Sequence, residues 1–342
     1  MVPEPGSEWD AFCAARPDAA VGHASAWAAV FREAYGLAPL YLEARDSAGG
    51  LGGVLPLVRF RTLRGRRELV SLPFLDVAGI VAGDPSAEDA LLAAALDLAR
   101  QHRVHAVELR QTAPPCGAPA HAAADRVDLA LPLAATEEVQ WQSLPAKVRN
   151  QTRKAQSEGL RIASGPSESL RRAFYEVFRV NMRDLGSPVH GERFFAAAAA
   201  GFGSRLRFIV ATLDDRPVGG LVAIHFGSTV SVPWASTLRS ERSRCPNNLI
   251  YWEALRWAIA EGAARFDFGR SPRDSGTYRF KRGWGAEERP LACTRLAPDG
   301  APLASSRAGE SAVLKRLSRL WTAIPVPVSG LFGPRVRRFL SE

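Results

Sequence analysis

The chain has 342 residues, of which 46% are hydrophobic and 23% charged, so general disorder is excluded and two domains are expected. The net charge is +9, but residues 301–342 alone carry +5, which argues against a nucleic-acid-binding surface over the whole molecule. Four widely spaced cysteines, with no Cys-x-x-Cys pair, argue against a zinc site or a disulfide framework. No signal peptide and no apolar stretch of roughly 20 residues is visible, so a cytoplasmic location is expected, with peripheral contact at the inner membrane left open.

Two segments of the sequence repeat each other. Leu40–Phe60 and Leu206–Phe226 align without a gap, and each consists of two alternating apolar runs joined by a polar turn. This pattern predicts a β-hairpin in each half of the chain.

The elements after each hairpin also correspond, as a strand, a helix and a second strand. They are predicted at Ser71–Phe74, Ala87–His102 and Val104–Arg110, and again at Ser231–Trp234, Pro246–Gly262 and Arg265–Gly269. Chance similarity is the alternative to duplication, but the shared order of elements favours duplication. The predicted fold is α/β, with two tandem GNAT-like (acyl-CoA N-acyltransferase type) domains whose mixed central sheets are flanked by helices. The predicted domains are residues 1–135 and 136–300, followed by a basic amphipathic tail at 301–342, with Thr112–Leu133 as a linker.

Residues 145–160 predict a basic helix that begins near Pro145 and ends at Gly159. Arg149 and Arg153 are four residues apart and share a face, with Lys154 beside them. These side chains suit the phosphates of a nucleotide or an RNA end, and a solvated basic face is the alternative.

Residues 174–190 predict a second helix, with an apolar core face that ends at Gly186. Asn181, Arg183 and Asp184 lie at its end. A carboxylate and a guanidinium there suit the wall of a cleft, whereas a surface ion pair is the alternative.

Residues 231–252 predict a strand and the beginning of the following helix, where N–H groups could hold donor phosphates. Trp234 and Ser236 lie on the strand, and Asn247 and Tyr251 on the helix. Cys245-Pro246-Asn247-Asn248 stands where coenzyme A-binding proteins carry a glycine-rich loop, which weakens a coenzyme A interpretation. Trp234 could stack on a ligand or be a core residue.

Residues 266–285 are the main candidate for chemistry. Asp267 lies at the end of a predicted strand, where α/β folds bind ligands. A turn-rich loop with Arg270 and Ser271 leads to Tyr278 and Lys281. Lysine is rare in this arginine-rich chain, and its ammonium suits an oxyanion or a phosphate, with a surface position as the alternative.

The tail from Ser311 to Leu340 predicts a basic amphipathic helix interrupted at Pro325 and Pro327. Its apolar face either packs on the preceding domain or lies on an anionic membrane, and the sequence leaves both open.

Together these stretches resemble the FemAB family, most closely the FemAB-like proteins associated with PEP-CTERM/exosortase systems. The matching stretches are PAKVRNQTRKAQSEGL, FYEVFRVNMRDLGSP, VPWASTL with CPNNLIYWEALRWAIAEG, and FDFGRSPRDSGTYRFKRGWGAEERPL. FemAB proteins carry two GNAT-like domains and transfer amino acids from aminoacyl-tRNA to a cell-wall precursor. The resemblance implies that Lys281 assists the carbonyl transition state or the tRNA end. The long coiled-coil arm of some members is missing here.

The expected activity is transfer of an acyl or aminoacyl group to an amine, in cell-envelope or exopolysaccharide metabolism. Lys281, Asp267 and Asp184 are the candidate catalytic residues, and no metal or tightly bound cofactor is expected. The donor would be aminoacyl-tRNA or an acyl thioester of coenzyme A or acyl carrier protein, and the acceptor a small-molecule or lipid-linked envelope precursor. The alternative function is a non-catalytic adaptor that docks on a membrane through its tail.

Overall fold

The computed structural model describes residues 5–115, 121–122, 126–304 and 318–341. Its helices are α1 (Ser7–Ala14), α2 (Trp27–Tyr35), α3 (Pro85–Gln101), α4 (Glu137–Ser143), α5 (Ala146–Ser157), α6 (Glu168–Asp184), α7 (Glu192–Phe202), α8 (Pro246–Ala260), α9 (Gly276–Arg282) and α10 (Val326–Arg337). Its strands are β1 (Pro39–Arg45), β2 (Leu51–Arg61), β3 (Arg67–Val70), β4 (Val81–Ala82), β5 (Ala106–Gln111), β6 (His121–Ala122), β7 (Arg126–Pro132), β8 (Arg161–Gly165), β9 (Leu206–Leu213), β10 (Arg216–Phe226), β11 (Thr229–Thr237), β12 (Arg265–Asp267), β13 (Ser271–Pro272), β14 (Glu287–Arg289) and β15 (Ala292–Leu296).

The chain forms two compact units, and both are discontinuous in sequence. Unit 1 comprises Met1–Val127, Arg289–Ser311 and Val336–Glu342. Unit 2 comprises Asp128–Glu288 and Ala312–Arg335.

The sheets of the two units have the same central topology. In unit 1 the order is β1-β2-β3-β5-β15-β6, and in unit 2 it is β13-β7-β12-β11-β10-β9-β8. In both, the hairpin and the next strand are antiparallel, and that strand pairs in parallel with the one after the helix. Both predicted hairpins and the α/β fold with tandem GNAT-like sheets are confirmed. The third strand of unit 1 occupies Arg67–Val70 and not the predicted Ser71–Phe74, because Leu72 and Phe74 adopt positive φ angles that no strand permits.

Each sheet also includes a strand from the other half of the sequence. β15 pairs antiparallel with β5 in unit 1, and β7 pairs antiparallel with β12 in unit 2. The predicted linker Thr112–Leu133 therefore contains a sheet strand, and that expectation was wrong for Arg126–Pro132. Residues 128–131 are buried, because β7 lies inside its sheet.

Two consecutive glycines in β10 allow helices to pack closely on the sheet of unit 2. A Cβ atom at Gly219 would come within 2.8 Å of Ile250 Cδ1 on α8, and one at Gly220 within 3.2 Å of Phe174 Cδ2 on α6. Because successive residues of a strand face opposite sides, α8 and α6 cover opposite faces of the sheet. Gly53 of unit 1 aligns with Gly219, and its Cβ atom would come within 2.9 Å of Leu91 Cδ1 on α3. The same close approach of helix to strand thus occurs in both units.

The cores of the units are apolar layers between sheet and helices. In unit 1 the core cluster is Leu42, Leu55, Leu57, Leu69, Ile80, Leu91, Ala95, Leu98, Ala99, Val104, Val107 and Leu109. In unit 2 the predicted core face of α6 is confirmed, since Phe174, Val177 and Phe178 are buried. The helix ends as expected, with Gly186 at φ +70°.

Candidate functional site

The parallel strands β11 and β12 separate after three paired residues. Ser231 and Asp267 form the last pair, after which β12 ends while β11 continues to Thr237. Beyond Ser231, the described part of the chain provides no strand partner for this edge of β11. A fork between two parallel strands leaves backbone N–H and C=O groups available to an extended ligand.

Asp267 lies at the base of this fork. Its Oδ2 atom accepts a hydrogen bond from Ser231 Oγ at 3.1 Å, and its Oδ1 atom accepts one from the Gly269 N–H at 2.7 Å. The side chain is partly exposed. The carboxylate is therefore held in one orientation while it can still be reached from the fork.

A β-bulge in β11 determines which side chains share a face of the fork. Val222 of β10 faces Trp234, while Ile224 faces Ser231, so one residue of β10 opposes two residues of β11. Because of this extra residue, the side chains of Ser231 and Trp234 lie on the same face of the sheet. Trp234 itself is 9% exposed. It packs edge-on against Phe194, Phe195 and His190, so it is a core residue and does not offer a stacking surface.

The other end of the β11 edge lies beneath the end of α6. Asn181 Nδ2 donates a hydrogen bond to Ser236 Oγ at 3.0 Å, and both side chains are buried. Ser236 and Ser231 are five residues apart, which corresponds to roughly 15 Å along a strand. Asn181 and Asp267 are therefore associated with opposite ends of this edge.

Arg183 and Asp184 form an ion pair, with Arg183 Nε 2.8 Å from Asp184 Oδ1. Arg183 Nη1 also donates to the carbonyl oxygen of Ile324 at 3.3 Å. Both residues are partly exposed, so the arrangement is the partly solvated ion pair that the sequence left as an alternative.

Lys281 is 8% exposed, so the alternative of a surface lysine is wrong. It lies on α9, a short helix that begins at the Ser275 cap. Its Nζ atom donates to the carbonyl oxygens of Gly269 and Arg270, at 2.8 and 3.0 Å. The ammonium therefore fixes the loop that follows Asp267. Arg270 is partly exposed, and Ser271 is buried in β13.

Tyr278 lies on the outer side of α9. Its hydroxyl donates to Glu288 Oε1, and Arg273 pairs with the other oxygen of the same carboxylate. These two contacts lower the pKa of Glu288, and the bond to Glu288 raises the pKa of Tyr278. The ring therefore anchors the segment after α9.

The basic helix α5 packs beside the beginning of α8. Asn248 Nδ2 donates to Gln151 Oε1 at 3.3 Å, and Asn247 Oδ1 accepts from the Thr237 hydroxyl. Lys154 is three residues after Gln151 and so lies on the face toward the α8 N-terminus. Lys154 is exposed there.

The arginines of α5 are directed toward α4. Arg153 lies over the Trp141 ring, with its guanidinium carbon 5.5 Å from the ring centroid. Arg149 Nη1 donates to Gln142 at 3.0 Å. Of the three predicted phosphate ligands, Lys154 is therefore the best placed beside the helix N-terminus.

Tyr251 is 5% exposed, and burial raises its pKa. It stacks on Phe268 at 5.4 Å and contacts Phe280 and Trp284. Tyr251 is therefore part of an aromatic cluster that supports the end of β12 and α9, and it lies away from any open surface.

Two residues near the fork were not predicted from the sequence as site residues. Ser231 binds Asp267, which depends on the pairing register of two strands far apart in sequence. Asp128 is buried on β7, two residues before Ala130, which faces Asp267. The two carboxylates therefore share a face of the sheet. The only signal for Asp128 was a carboxylate within an apolar run.

Unit 1 has a separate cavity of about 360 Å³ at the beginning of α3. Asp18, Asp84 and Glu88 line it, and three carboxylates disfavour a phosphate-bearing donor. The described residues contain no cluster of His, Cys, Asp and Glu suited to a metal ion. Within the same ranges, no helix has the length and apolar character needed to cross a membrane.

Residues 142–282 match the family model described as an acetyltransferase (GNAT) domain. That range contains the fork, α5, α8 and α9, whereas Asp128 and Ala130 on β7 precede it. No curated protein sequence matches the chain.

Solved structures share the architecture at low sequence identity. FemX matches with a TM-score of 0.67 and 13% identity, over 85% of this chain and 97% of FemX. A tandem GNAT protein from the clavulanic acid biosynthesis pathway matches with a TM-score of 0.53 and 13% identity, over 87% of this chain and 95% of that one. L-PGS from Bacillus licheniformis matches with a TM-score of 0.52 and 10% identity, over 94% and 98%. These similarities show the tandem fold.

Proposed function

We propose that the chain is an acyl- or aminoacyl-transferase that acts on an amine. The observation that carries this proposal is the fork between β11 and β12, with Asp267 held at its base, inside the range that matches an acetyltransferase domain. The unpaired edge of β11 suits an extended donor arm, which would add to the sheet as a short strand.

The donor would carry its acyl group on a phosphate-bearing carrier. The α8 N-terminus supplies a positive dipole end, and Lys154 adds a charge beside it. This supports an acyl thioester of coenzyme A or acyl carrier protein, or an aminoacyl-tRNA ester. The similarity of the fold to FemX and L-PGS supports an acceptor from the cell envelope.

In the proposed reaction, the acceptor nitrogen attacks the carbonyl carbon of the donor. A C–N bond forms, and the carbonyl π electrons move to oxygen, where β11 N–H groups stabilise the charge. Asp267 takes the proton that the nitrogen loses. The oxyanion then collapses, the bond to the carrier breaks, and the leaving thiolate or alkoxide receives the proton. Asn181 and Asp184, toward the other end of β11, would orient the remainder of the acceptor.

The test begins with donor binding. Labelled acetyl-coenzyme A, acylated carrier protein and aminoacyl-tRNA are each titrated against the full chain, and amine acylation is followed for any donor that binds. Saturable binding of one donor is expected. If none binds, the transferase proposal fails and the result supports the adaptor alternative.

The variant Asp267→Asn then addresses the mechanism. The amide oxygen still accepts the Gly269 N–H, so the fold is kept while the proton acceptor is lost. We expect kcat to fall by about 10²- to 10⁴-fold. Asp274→Asn is the matched control, because Asp274 is an exposed carboxylate of the same loop. Equal turnover of Asp267→Asn and the control would remove Asp267 from the chemistry.

A further inference from the structure

The C-terminal helix α10 packs through its small side chains and exposes its large ones. Ser329 and Gly333 are buried, whereas Val328, Leu331 and Phe332 are between 42% and 61% exposed. The apolar positions 328, 331 and 332 are three and four residues apart, so they form one continuous face. This is the reverse of a helix that covers a hydrophobic core.

Close backbone contacts fix this orientation within unit 2. A Cβ atom at Gly333 would lie 2.8 Å from Val189 Cγ1 and 3.0 Å from the Val189 nitrogen. A Cβ atom at Gly186 would lie 2.1 Å from Ser318 Oγ, so the segment before α10 also lies tightly against its neighbour. If the helix rotated to turn its large side chains inward, one of them would have to occupy the space that now admits only Gly333 against Val189.

The charged side chains of the described C-terminal segment are all basic. Residues 318–341 contain Arg319, Arg335, Arg337 and Arg338 and no Asp or Glu. Arg335 follows Leu331 by four residues and is exposed, with Nη1 bonded to the Leu331 carbonyl oxygen at 3.0 Å. Leu320 and Arg319 are exposed just before α10. We call Val328, Leu331 and Phe332 the α10 apolar face, and Arg335 lies beside it.

We propose that the α10 apolar face docks on a bilayer that contains anionic phospholipid. Leu331 and Phe332 enter the boundary between head groups and acyl chains, and Arg319 and Arg335 contact lipid phosphates. The sequence allowed the tail to cover its domain or to lie on a membrane, and the packing of α10 favours the membrane. The inference does not depend on the transferase proposal. Residues 305–317, the first part of the predicted tail, lie outside the described residues and are not part of it.

Vesicle flotation with the full chain tests the proposal. Vesicles of phosphatidylcholine alone are compared with vesicles of phosphatidylcholine and phosphatidylglycerol in equal parts. We expect flotation with the anionic vesicles only, and a decrease as salt is added. Absence of flotation with both would overturn the proposal.

Paired variants locate the binding surface. Leu331→Ser with Phe332→Ser should weaken binding by at least about tenfold, because each removes a large apolar group from the bilayer. Arg319→Gln and Arg335→Gln should each weaken it by roughly fivefold, and only with anionic vesicles. Val139→Ser is the control, since Val139 is 58% exposed on α4 of the same unit.

Two results would reject the membrane as the occupant. One is flotation of the Leu331/Phe332 double variant equal to that of the wild type. The other is a wild-type dimer in sedimentation, without lipid, that the double variant converts to monomer. In that case the α10 apolar face joins two copies of this chain. If the double variant unfolds in a thermal melt, the two arginine variants decide the question alone.

Discussion

Replacement of Lys281 by Met tests whether this residue holds the loop after Asp267. The ammonium donates to the carbonyl oxygens of Gly269 and Arg270, and Met fills a similar volume without any donor. A hydrogen bond to a charged group contributes about 1.5–3 kcal/mol, so the loss of two is worth about 3–6 kcal/mol. A neutral side chain also avoids the cost of burying a charged ammonium, which offsets part of this loss. We expect a net loss of about 2–4 kcal/mol in the free energy of unfolding.

Urea denaturation of the full chain measures this difference, and limited proteolysis reports on the loop at residues 269–275. Lys154→Met is the matched control, because it removes an exposed lysine from the same unit and should change stability by less than about 0.5 kcal/mol. Lys281→Arg should retain most of the stability, because a guanidinium can still donate to both carbonyl groups. Wild-type stability and an unchanged proteolysis pattern for Lys281→Met would refute a positioning role.

Once a donor is known, the same variants separate two roles. A lysine that acts through the loop tolerates arginine, whereas a lysine that must move to the oxyanion does not. Retention of most of kcat by Lys281→Arg, with a loss in Lys281→Met, therefore identifies Lys281 as a positioning residue. A fall in kcat for both, at unchanged stability of Lys281→Arg, supports direct contact with the reacting carbonyl group.

Further predictions concern buried groups and close packing in both units. Glu108 is buried between Arg110, at 2.7 Å, and Arg295, at 3.9 Å. Glu108→Gln should lower the free energy of unfolding by about 3–5 kcal/mol, because it removes the carboxylate charge that pairs with the buried Arg110 guanidinium, whereas Arg295 keeps its ion pair with Glu68. Asp97→Asn, in an exposed pair with Arg100, should change it by less than about 1 kcal/mol, and equal effects in urea denaturation would contradict this account. His23 is buried, and burial lowers its pKa from 6.5. The unfolded chain therefore binds a proton that the folded chain does not, and stability should fall as pH drops below about 6.5, by up to about 1.4 kcal/mol per pH unit. His23→Gln should reduce this slope, and an unchanged slope would show that other groups cause it. In β10, Gly219→Val should be strongly destabilising, because its Cβ meets Ile250 Cδ1 at 2.8 Å, whereas Gly6→Ala, which meets nothing within 4 Å, should be nearly neutral in a thermal melt.

The predicted site residues fall into separate groups in the structure. Asp267 and Lys281 belong to one assembly, since the lysine holds the loop that binds the aspartate. Asn181 and Ser236 are joined by a hydrogen bond across 55 residues of sequence, which no local pattern encodes. Trp234 and Tyr251 are core residues, because each packs on a neighbouring aromatic ring. Trp234 packs on Phe195, and Tyr251 packs on Phe268.

Local periodicity determined much of this protein. Alternation of apolar residues defined both hairpins, and the matched order of strand, helix and strand defined the repeat, since each depends only on neighbouring residues. The pairing of strands that are distant in sequence could be identified only from the tertiary structure. The exchange of β7 and β15, the register that places Ser231 beside Asp267, and the burial of Lys281 all depend on contacts between segments far apart in sequence. The orientation of α10 is the same kind of result. The sequence predicted an amphipathic helix, and only the close approach of Gly333 to Val189 decided that its large apolar side chains face outward.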